Sequence, residues 1–87
     1  LILLNARSKK VSLRSPSGTA IDVEVDAFPH WVFWSRPGAD YLCIEGWTGH
    51  GDPAGFAGDV RDKPGMTLLP PGEERRYGYR FRLRGPG

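Results

Sequence analysis

Apolar and charged residues alternate with a period of two in the first third of the chain. Ile21, Val23 and Val25 fall on one side of an extended chain, and Asp22 and Glu24 fall on the other. Because successive side chains of a β-strand point to opposite faces, this alternation predicts a strand that buries one face and exposes the other to water. Strands of this kind are typical of antiparallel sheets.

Two further segments repeat the pattern and predict partner strands. Val11 and Leu13 alternate with polar residues, and the Pro-Ser-Gly sequence at residues 16–18 predicts a hairpin turn leading into the next strand. In residues 76–84, apolar side chains alternate with arginine and glycine. This alternation predicts that one face of the last strand packs against a core while its arginines lie in water.

The middle of the chain predicts strands of a different kind. Residues 31–34 are apolar on both faces, which indicates an interior strand, and residues 41–47 are also mostly apolar. The Arg-Pro-Gly sequence at residues 36–38 predicts the turn between them. Residues 48–65 are rich in glycine and indicate a long loop at the rim of the sheet, and residues 68–69 suggest a short strand. The overall prediction is an all-β, antiparallel fold of about six strands without a helix.

Composition agrees with this prediction and excludes several classes of protein. Of 87 residues, 12 are glycine and 8 are proline, a density that long helices do not tolerate. No apolar run approaches the roughly 18 residues of a membrane span, and the opening Leu-Ile-Leu-Leu is too short for a signal-peptide core. The single cysteine, Cys43, rules out an internal disulfide. We therefore expect a cytoplasmic protein with no membrane partner.

The formal net charge is +2, and the charges are unevenly distributed along the sequence. Residues 1–19 and 66–87 are basic, whereas residues 20–65 are acidic. Nucleic-acid-binding domains concentrate basic side chains on one face, but in residues 76–84 the aromatic and arginine side chains fall on opposite faces. The sequence therefore predicts no nucleic-acid partner. A small nucleic-acid-binding β-domain remains the most distant alternative.

Glu45 is the one charged residue in the sequence Leu-Cys-Ile-Glu-Gly-Trp at residues 42–47. A carboxylate within an apolar strand costs several kcal/mol unless it is paired or neutralised. Two interpretations are open. Glu45 is a general base at a binding site, or it is a strand-end glutamate that pairs with an arginine such as Arg36.

Three tryptophans, at positions 31, 34 and 47, lie near this glutamate in the sequence. Indole rings stack on the apolar faces of sugars, so a tryptophan beside a carboxylate suggests a carbohydrate site; core packing is the alternative for each. A metal site needs three or four converging ligands, and His30 and His50 are the only histidines, so no metal is predicted. We expect His30 at the surface or a strand edge, and Cys43 on the face of Glu45 as a buried, unreactive thiol.

Several of these segments together resemble the aldose 1-epimerase (galactose mutarotase-like) family, most closely its LacX-like branch. In that branch the segment around the glutamate typically reads Cys-Ile-Glu-Pro-Trp followed by Tyr-Gly, which matches residues 43–47 except at one position. The resemblance extends from about residue 16 onward and covers only the last third or so of a family member. The other matching segments are residues 28–29, 34–39, 63–65, 69–73 and the final alternating strand.

The resemblance implies a β-sandwich that interconverts the α and β anomers of a hexose without a cofactor. It makes Glu45 the general base, and it places the acid, a histidine in the family, upstream of residue 1. Aromatic residues of this region line the sugar, so Phe33, Trp34 and Trp47 are candidate substrate-binding residues. Because Phe33 and Trp34 are adjacent in the chain, only one of them can face the pocket.

Residues 1–87 are therefore interpreted as a single carboxy-terminal part of a mutarotase-like β-sandwich domain, whose partners are the upstream strands of the parent chain. Two departures from the family bear on activity. Gly46 stands where the branch usually has proline and Thr48 where it has tyrosine, which leaves the backbone after Glu45 freer. Because the acid lies elsewhere, the segment alone is expected to be inactive. A non-catalytic carbohydrate-binding β-sandwich is the alternative.

Overall fold

The computed structural model describes residues 1–86 and is all-β. It has six strands in two antiparallel three-stranded sheets, and its one helical element in this range is a 3-10 turn at Val60–Asp62. The strands are β1 (Ile2–Leu3), β2 (Lys10–Arg14), β3 (Ala20–Asp26), β4 (His30–Trp34), β5 (Cys43–Trp47) and β6 (Gly78–Arg84). The predicted antiparallel, all-β fold is confirmed. Within residues 1–86, no helix has the length and apolar composition needed to cross a membrane.

The first sheet has the order β2-β3-β6, with β3 in the centre. Val23 of β3 lies opposite Phe81 of β6, so the alternating apolar side chains of these strands share one face. On the other face, Asp22 accepts hydrogen bonds from Arg84 at 2.8 Å and from Ser12 at 2.6 Å. The hydrogen bond from Arg84 holds the pKa of Asp22 well below its usual range. This buried carboxylate joins all three strands of the sheet.

The second sheet has the order β1-β4-β5, which confirms the prediction that residues 31–34 form an interior strand. The turn predicted at residues 36–38 connects β4 to β5, and its Ala39 N–H donates to the Arg36 carbonyl at 3.0 Å. Gly38 within it has a φ of +79°, a conformation that side chains disfavour and glycine adopts freely.

The core lies between the sheets and centres on Val23, Val25 and Trp31, of which Trp31 is only 2% exposed. The indole N–H of Trp31 donates to the carbonyl of Ser8 at 2.8 Å, which gives its polar edge a partner inside the protein. Partly buried apolar side chains surround this cluster: Ala6, Val11, Ile21, Phe28, Phe33 and Ile44. Trp31 of β4 is thus the side chain through which the second sheet packs on β3.

Two expectations were wrong, one about packing and one about the position of a strand. The apolar face of β6 was expected to be covered, but Phe81 is 62% exposed and Leu83 is 80% exposed. The core residues that β3 contributes are Val23 and Val25, whereas Leu83 lies opposite Ile21, nearer the other end of the strand. Residues 68–69 form no strand, whereas Ile2–Leu3 pairs with β4 as β1. The radius of gyration, 16.3 Å, exceeds the roughly 12 Å of a compact chain of this length.

We expect the isolated chain to be only marginally stable, because its core is small and part of its apolar surface is open to water. Urea and thermal unfolding, followed by tryptophan fluorescence and circular dichroism, should give broad transitions of low cooperativity. A sharp two-state transition with several kcal/mol of stability would contradict this expectation and the interpretation of the chain as a segment.

Candidate functional site

Glu45 lies in the middle of β5, opposite Val32 of β4. Because directly paired residues of antiparallel strands point to the same side, the register places Trp34 and Trp47 on the same face as Glu45. Ile44 points to the opposite side and packs against the core. We call the side of β4 and β5 that carries Glu45 the Glu45 face. Its members are His30, Val32, Trp34, Cys43, Glu45 and Trp47, of which His30 and Val32 are buried.

The Glu45 carboxylate is half-buried and has one side-chain partner. The indole N–H of Trp47 donates to its Oε1 at 3.3 Å, a contact made possible because residues two apart on a strand share a face. No cation of residues 1–86 forms an ion pair with it, so the alternative pairing with Arg36 is absent. The second oxygen, Oε2, has no hydrogen-bond partner among residues 1–86 and can accept a hydrogen bond from a ligand.

The two adjacent aromatic candidates are separated by the strand. Trp34 lies on the Glu45 face and is 53% exposed. Phe33 points to the opposite side, where its ring stacks on Trp31 at 6.1 Å and contributes to the core. Trp34, and not Phe33, therefore shares a surface with Glu45 and Trp47.

The position after Glu45 is fixed by a residue from the other sheet. The Gly46 N–H donates to the Tyr79 hydroxyl at 2.7 Å, and that hydroxyl donates to the Gly46 carbonyl at 3.1 Å. A side chain at position 46 would place its Cβ 3.0 Å from Phe28 and 3.1 Å from the Tyr79 hydroxyl. Proline at position 46 would also remove the N–H that donates to the Tyr79 hydroxyl. The sequence gives no local signal for this contact, because residues 46 and 79 are far apart in the chain.

Replacing Gly46 by alanine should destabilise the chain by about 1–3 kcal/mol, the usual cost of forcing extra atoms into a packed site. Phe28 and the Tyr79 hydroxyl would have to move to admit the new methyl group. The urea midpoint at fixed pH would measure the change. Gly49→Ala is the matched control, since nothing lies within 4 Å of a Cβ built there. Equal midpoints for the two variants would contradict the role given to Gly46.

His30 was expected at the surface or a strand edge. It begins β4, but its side chain is buried, so the surface position was wrong. Its Nδ1 accepts a hydrogen bond from the Asn5 N–H at 3.0 Å, so the neutral ring carries its proton on Nε2. Nε2 is buried without a partner among residues 1–86, and the His50 ring lies 5.5 Å away. Burial, with the nearby His50 as a second cause, lowers the pKa of His30. The chain before β2 and the loop after β5 cover this residue, which the local sequence could not indicate.

Lowering the pH should destabilise the chain through His30. The unfolded chain takes up a proton near pH 6.5, whereas folded His30 has a lower pKa and stays neutral. Stability therefore falls as the pH drops through 6.5 and levels off below the folded pKa. Urea midpoints measured from pH 7.5 to pH 5 should show the decline. Asp22 does not contribute in this window, because its pKa is lowered from an already acidic value.

The control for this effect is His30→Asn, since the asparagine oxygen can accept the Asn5 N–H in place of Nδ1 and does not titrate. The variant should show a flatter pH dependence than the wild-type chain. The same decline in both proteins would assign the effect to a group other than His30.

The long loop begins directly after Trp47, at the end of the sheet where His30 starts β4. Within it, Lys63 forms an ion pair with Asp52 at 3.0 Å. None of its side chains hydrogen-bonds to the Glu45 carboxylate in the described part of the chain.

Cys43 lies on the Glu45 face and is half-buried, with no disulfide. Residues 1–86 contain no group of three or more His, Cys, Asp or Glu side chains arranged to hold a metal ion.

The Glu45 face combines a carboxylate without a counter-ion, an adjacent indole and a second exposed indole further along the sheet. A carboxylate in this setting can accept a hydrogen bond or a proton from a hydroxyl, and the indoles can pack against the apolar side of the same ligand. Comparison with family models, curated proteins and solved structures finds no match for the chain. We therefore infer a function from the side chains of the Glu45 face alone.

Proposed function

We propose that the chain is the carboxy-terminal segment of an aldose 1-epimerase-like protein and that its Glu45 face binds a hexose. The observation that carries this proposal is the half-buried Glu45 carboxylate, which has an indole donor and no cation among residues 1–86. A glutamate retained in a strand for structural reasons alone would be expected to pair with an arginine. Trp47 beside Glu45 supplies an apolar surface against which a sugar ring packs, and Trp34 offers a second one about 13 Å further along the same face.

In the proposed reaction, Glu45 accepts the proton of the anomeric hydroxyl as the ring oxygen is protonated by an acid. The ring opens to the aldehyde, rotation about the C1–C2 bond exposes either face, and the reverse proton transfers close the ring to the other anomer. No cofactor is needed, because no electrons are exchanged. His30 is too buried to reach a ligand, so the acid is assigned to the upstream part of the parent protein.

The partner proposed for this segment is the remainder of its own β-sandwich. Phe81 and Leu83 present an apolar sheet face to water, as expected of a surface that upstream strands cover. The proposal places the protein in the cytoplasm, supported by a single cysteine that forms no disulfide.

A non-catalytic carbohydrate-binding sandwich is the second candidate. It is favoured by the burial of His30, the one histidine on the Glu45 face, which leaves that face without a general acid among residues 1–86. Nucleic acid is disfavoured as a partner, because arginines of β6 pair with acidic residues on β3. Arg84 lies 2.8 Å from Asp22 and Arg80 lies 3.6 Å from Glu24.

A titration of the 87-residue chain with D-galactose, followed by tryptophan fluorescence, tests the binding that both candidates require. We expect a saturable change and, in Glu45→Ala, at least roughly fivefold weaker binding, because a hydrogen bond to a charged group is lost. Glu24→Ala is the control, since Glu24 is also a partly exposed strand glutamate but lies on the other sheet. Absence of saturable binding, or equal loss in both variants, would overturn the proposal.

A further inference from the structure

Gly46 occupies an open position at the edge of its sheet. β5 is an edge strand, because within residues 1–86 β4 is its one neighbour. In an antiparallel ladder, the backbone groups of successive residues point to opposite sides of the strand. Phe33 exchanges both of its backbone hydrogen bonds with Leu1 on the β1 side, so Trp31, two residues earlier, points the same way. Trp31 is the residue opposite Gly46, and β4 therefore provides no ladder hydrogen bonds to the Gly46 N–H and carbonyl.

The hydroxyl of Tyr79 fills this open position. It accepts the Gly46 N–H at 2.7 Å and donates to the Gly46 carbonyl at 3.1 Å. One hydroxyl, acting as acceptor and donor, thus binds both of the backbone groups that a further strand of the sheet would bind. The approach depends on glycine, because a Cβ at position 46 would lie 3.1 Å from the hydroxyl.

Tyr79 is itself held in place by the other sheet. It belongs to β6 and lies opposite Val25 of the core. Its ring packs against Phe28 with a centroid distance of 5.0 Å and stacks on Phe81 at 5.9 Å. These contacts restrict the rotamers that the ring can adopt. The hydroxyl is therefore a fixed point, set by the β2-β3-β6 sheet, against which the edge of β5 rests.

The position of the Glu45 carboxylate depends on this fixed point. Glycine gives the backbone of an edge strand more freedom than any other residue, and Gly46 lies directly between Glu45 and Trp47. The indole of Trp47 does not anchor the carboxylate independently, because their hydrogen bond is long, at 3.3 Å, and both residues move with the Gly46 backbone. A displacement of about 1 Å at a reacting group can cost about 10²-fold in rate.

We infer that Tyr79 is a positioning residue for the Glu45 carboxylate and acts by clamping the backbone of Gly46. The inference rests on the proposed function, in which Glu45 is the general base, and it adds a residue of the other sheet to the site. Tyr79 does not touch the ligand. A Cβ at position 46 would point toward Phe28 and the Tyr79 hydroxyl, so this hydroxyl lies on the side of β5 opposite to Glu45.

Replacement of Tyr79 by phenylalanine in the complete parent protein tests the inference. We expect kcat for the mutarotation of α-D-galactose, measured by polarimetry, to fall about 10- to 100-fold while KM changes less than about twofold. Phenylalanine keeps the ring, and both lost hydrogen bonds are exposed, so water replaces the hydroxyl and the fold is retained. Tyr77→Phe is the matched control and should keep the wild-type kcat. Tyr77 packs on the same Phe28 ring at 5.1 Å but takes no part in the hydrogen bonds to Gly46.

A spectroscopic measurement on the 87-residue chain separates positioning from a general loss of stability. In the ¹H–¹⁵N spectrum of Tyr79→Phe, the Gly46 amide should exchange faster with solvent and the Trp47 indole signal should shift. The Trp31 indole signal should stay in place, because that side chain is buried against Ser8. Tyr77→Phe should change none of these signals. Unchanged Gly46 and Trp47 signals in Tyr79→Phe overturn the inference.

The kinetic outcomes separate this inference from the function on which it rests. A near-normal kcat in Tyr79→Phe, together with a large loss in Glu45→Gln, overturns the role of Tyr79 and leaves the proposed function in place. A raised KM with an unchanged kcat, or an equal loss of kcat in Tyr77→Phe, also overturns it. If Glu45→Gln keeps the wild-type rate, the proposed reaction fails and the role of Tyr79 fails with it.

Discussion

Replacement of Glu45 by glutamine in the complete parent protein is expected to lower kcat for mutarotation by about 10²–10⁴, the usual contribution of general acid–base catalysis. Glutamine keeps the size of the side chain and can still accept a hydrogen bond, but it cannot take a proton from the anomeric hydroxyl. Sugar binding should change far less than the rate. Polarimetry on freshly dissolved α-D-galactose measures the reaction.

Glu24→Gln is the control for this experiment, because it neutralises a strand glutamate on the other sheet that pairs with Arg80. It should leave the rate unchanged. Near-normal rates in Glu45→Gln would reduce Glu45 to a binding or structural residue. An absence of catalysed mutarotation in the unaltered parent protein would make the non-catalytic carbohydrate-binding sandwich the better description.

Replacement of Trp31 by alanine is expected to unfold the isolated chain. Trp31 is fully buried, stacks on Phe33 and donates its indole N–H to the Ser8 carbonyl. Large aromatic-to-alanine changes in cores cost about 3–5 kcal/mol, which a chain of this size with a small core does not have in reserve. The ¹H–¹⁵N spectrum should lose its chemical-shift dispersion.

Trp34→Ala is the matched control, since Trp34 belongs to the same strand but is more than half exposed. Its spectrum should keep the dispersion of the folded chain. A folded Trp31→Ala variant would contradict the assignment of Trp31 as the side chain that joins the two sheets. Unfolding of Trp34→Ala would show that the outer face contributes more to stability than its exposure indicates.

The strands that alternate could be predicted because their signal is local. In β3, Ile21, Val23 and Val25 alternate with charged residues. The structure places these three side chains on one face, toward the core, as the alternation predicts. The apolar run at residues 31–34 likewise predicts the central strand of its sheet. The turns that connect these strands could be predicted from their glycines, since Gly18 and Gly38 both adopt positive φ.

Features that depend on distant pairing could not be predicted. His30 is buried because it contacts Asn5, which lies before it in the chain, and His50, which lies after it. The exposure of the apolar face of β6 could not be predicted either. A period of two identifies an apolar face but does not identify the element that covers it.

The candidate site was partly predictable for the same reason. Alternation along β5 places Glu45 and Trp47 on one face. Alternation along β4 allows only one of Phe33 and Trp34 to lie on that face. The choice of Trp34 required the register between β4 and β5. The contact of Tyr79 with Gly46 joins two sheets, so no pattern within either segment contains it.

The central claim is that a sugar contacts the Glu45 face, and the three tryptophan indole N–H signals test it most directly. Each indole occupies a different environment: Trp47 donates to Glu45, Trp34 is exposed on the same face, and Trp31 is buried against Ser8. In a ¹H–¹⁵N titration with D-galactose, the Trp47 signal should shift along a saturation curve while the Trp31 signal stays in place. No shift at Trp47, or a shift of all three signals without saturation, would contradict the claim.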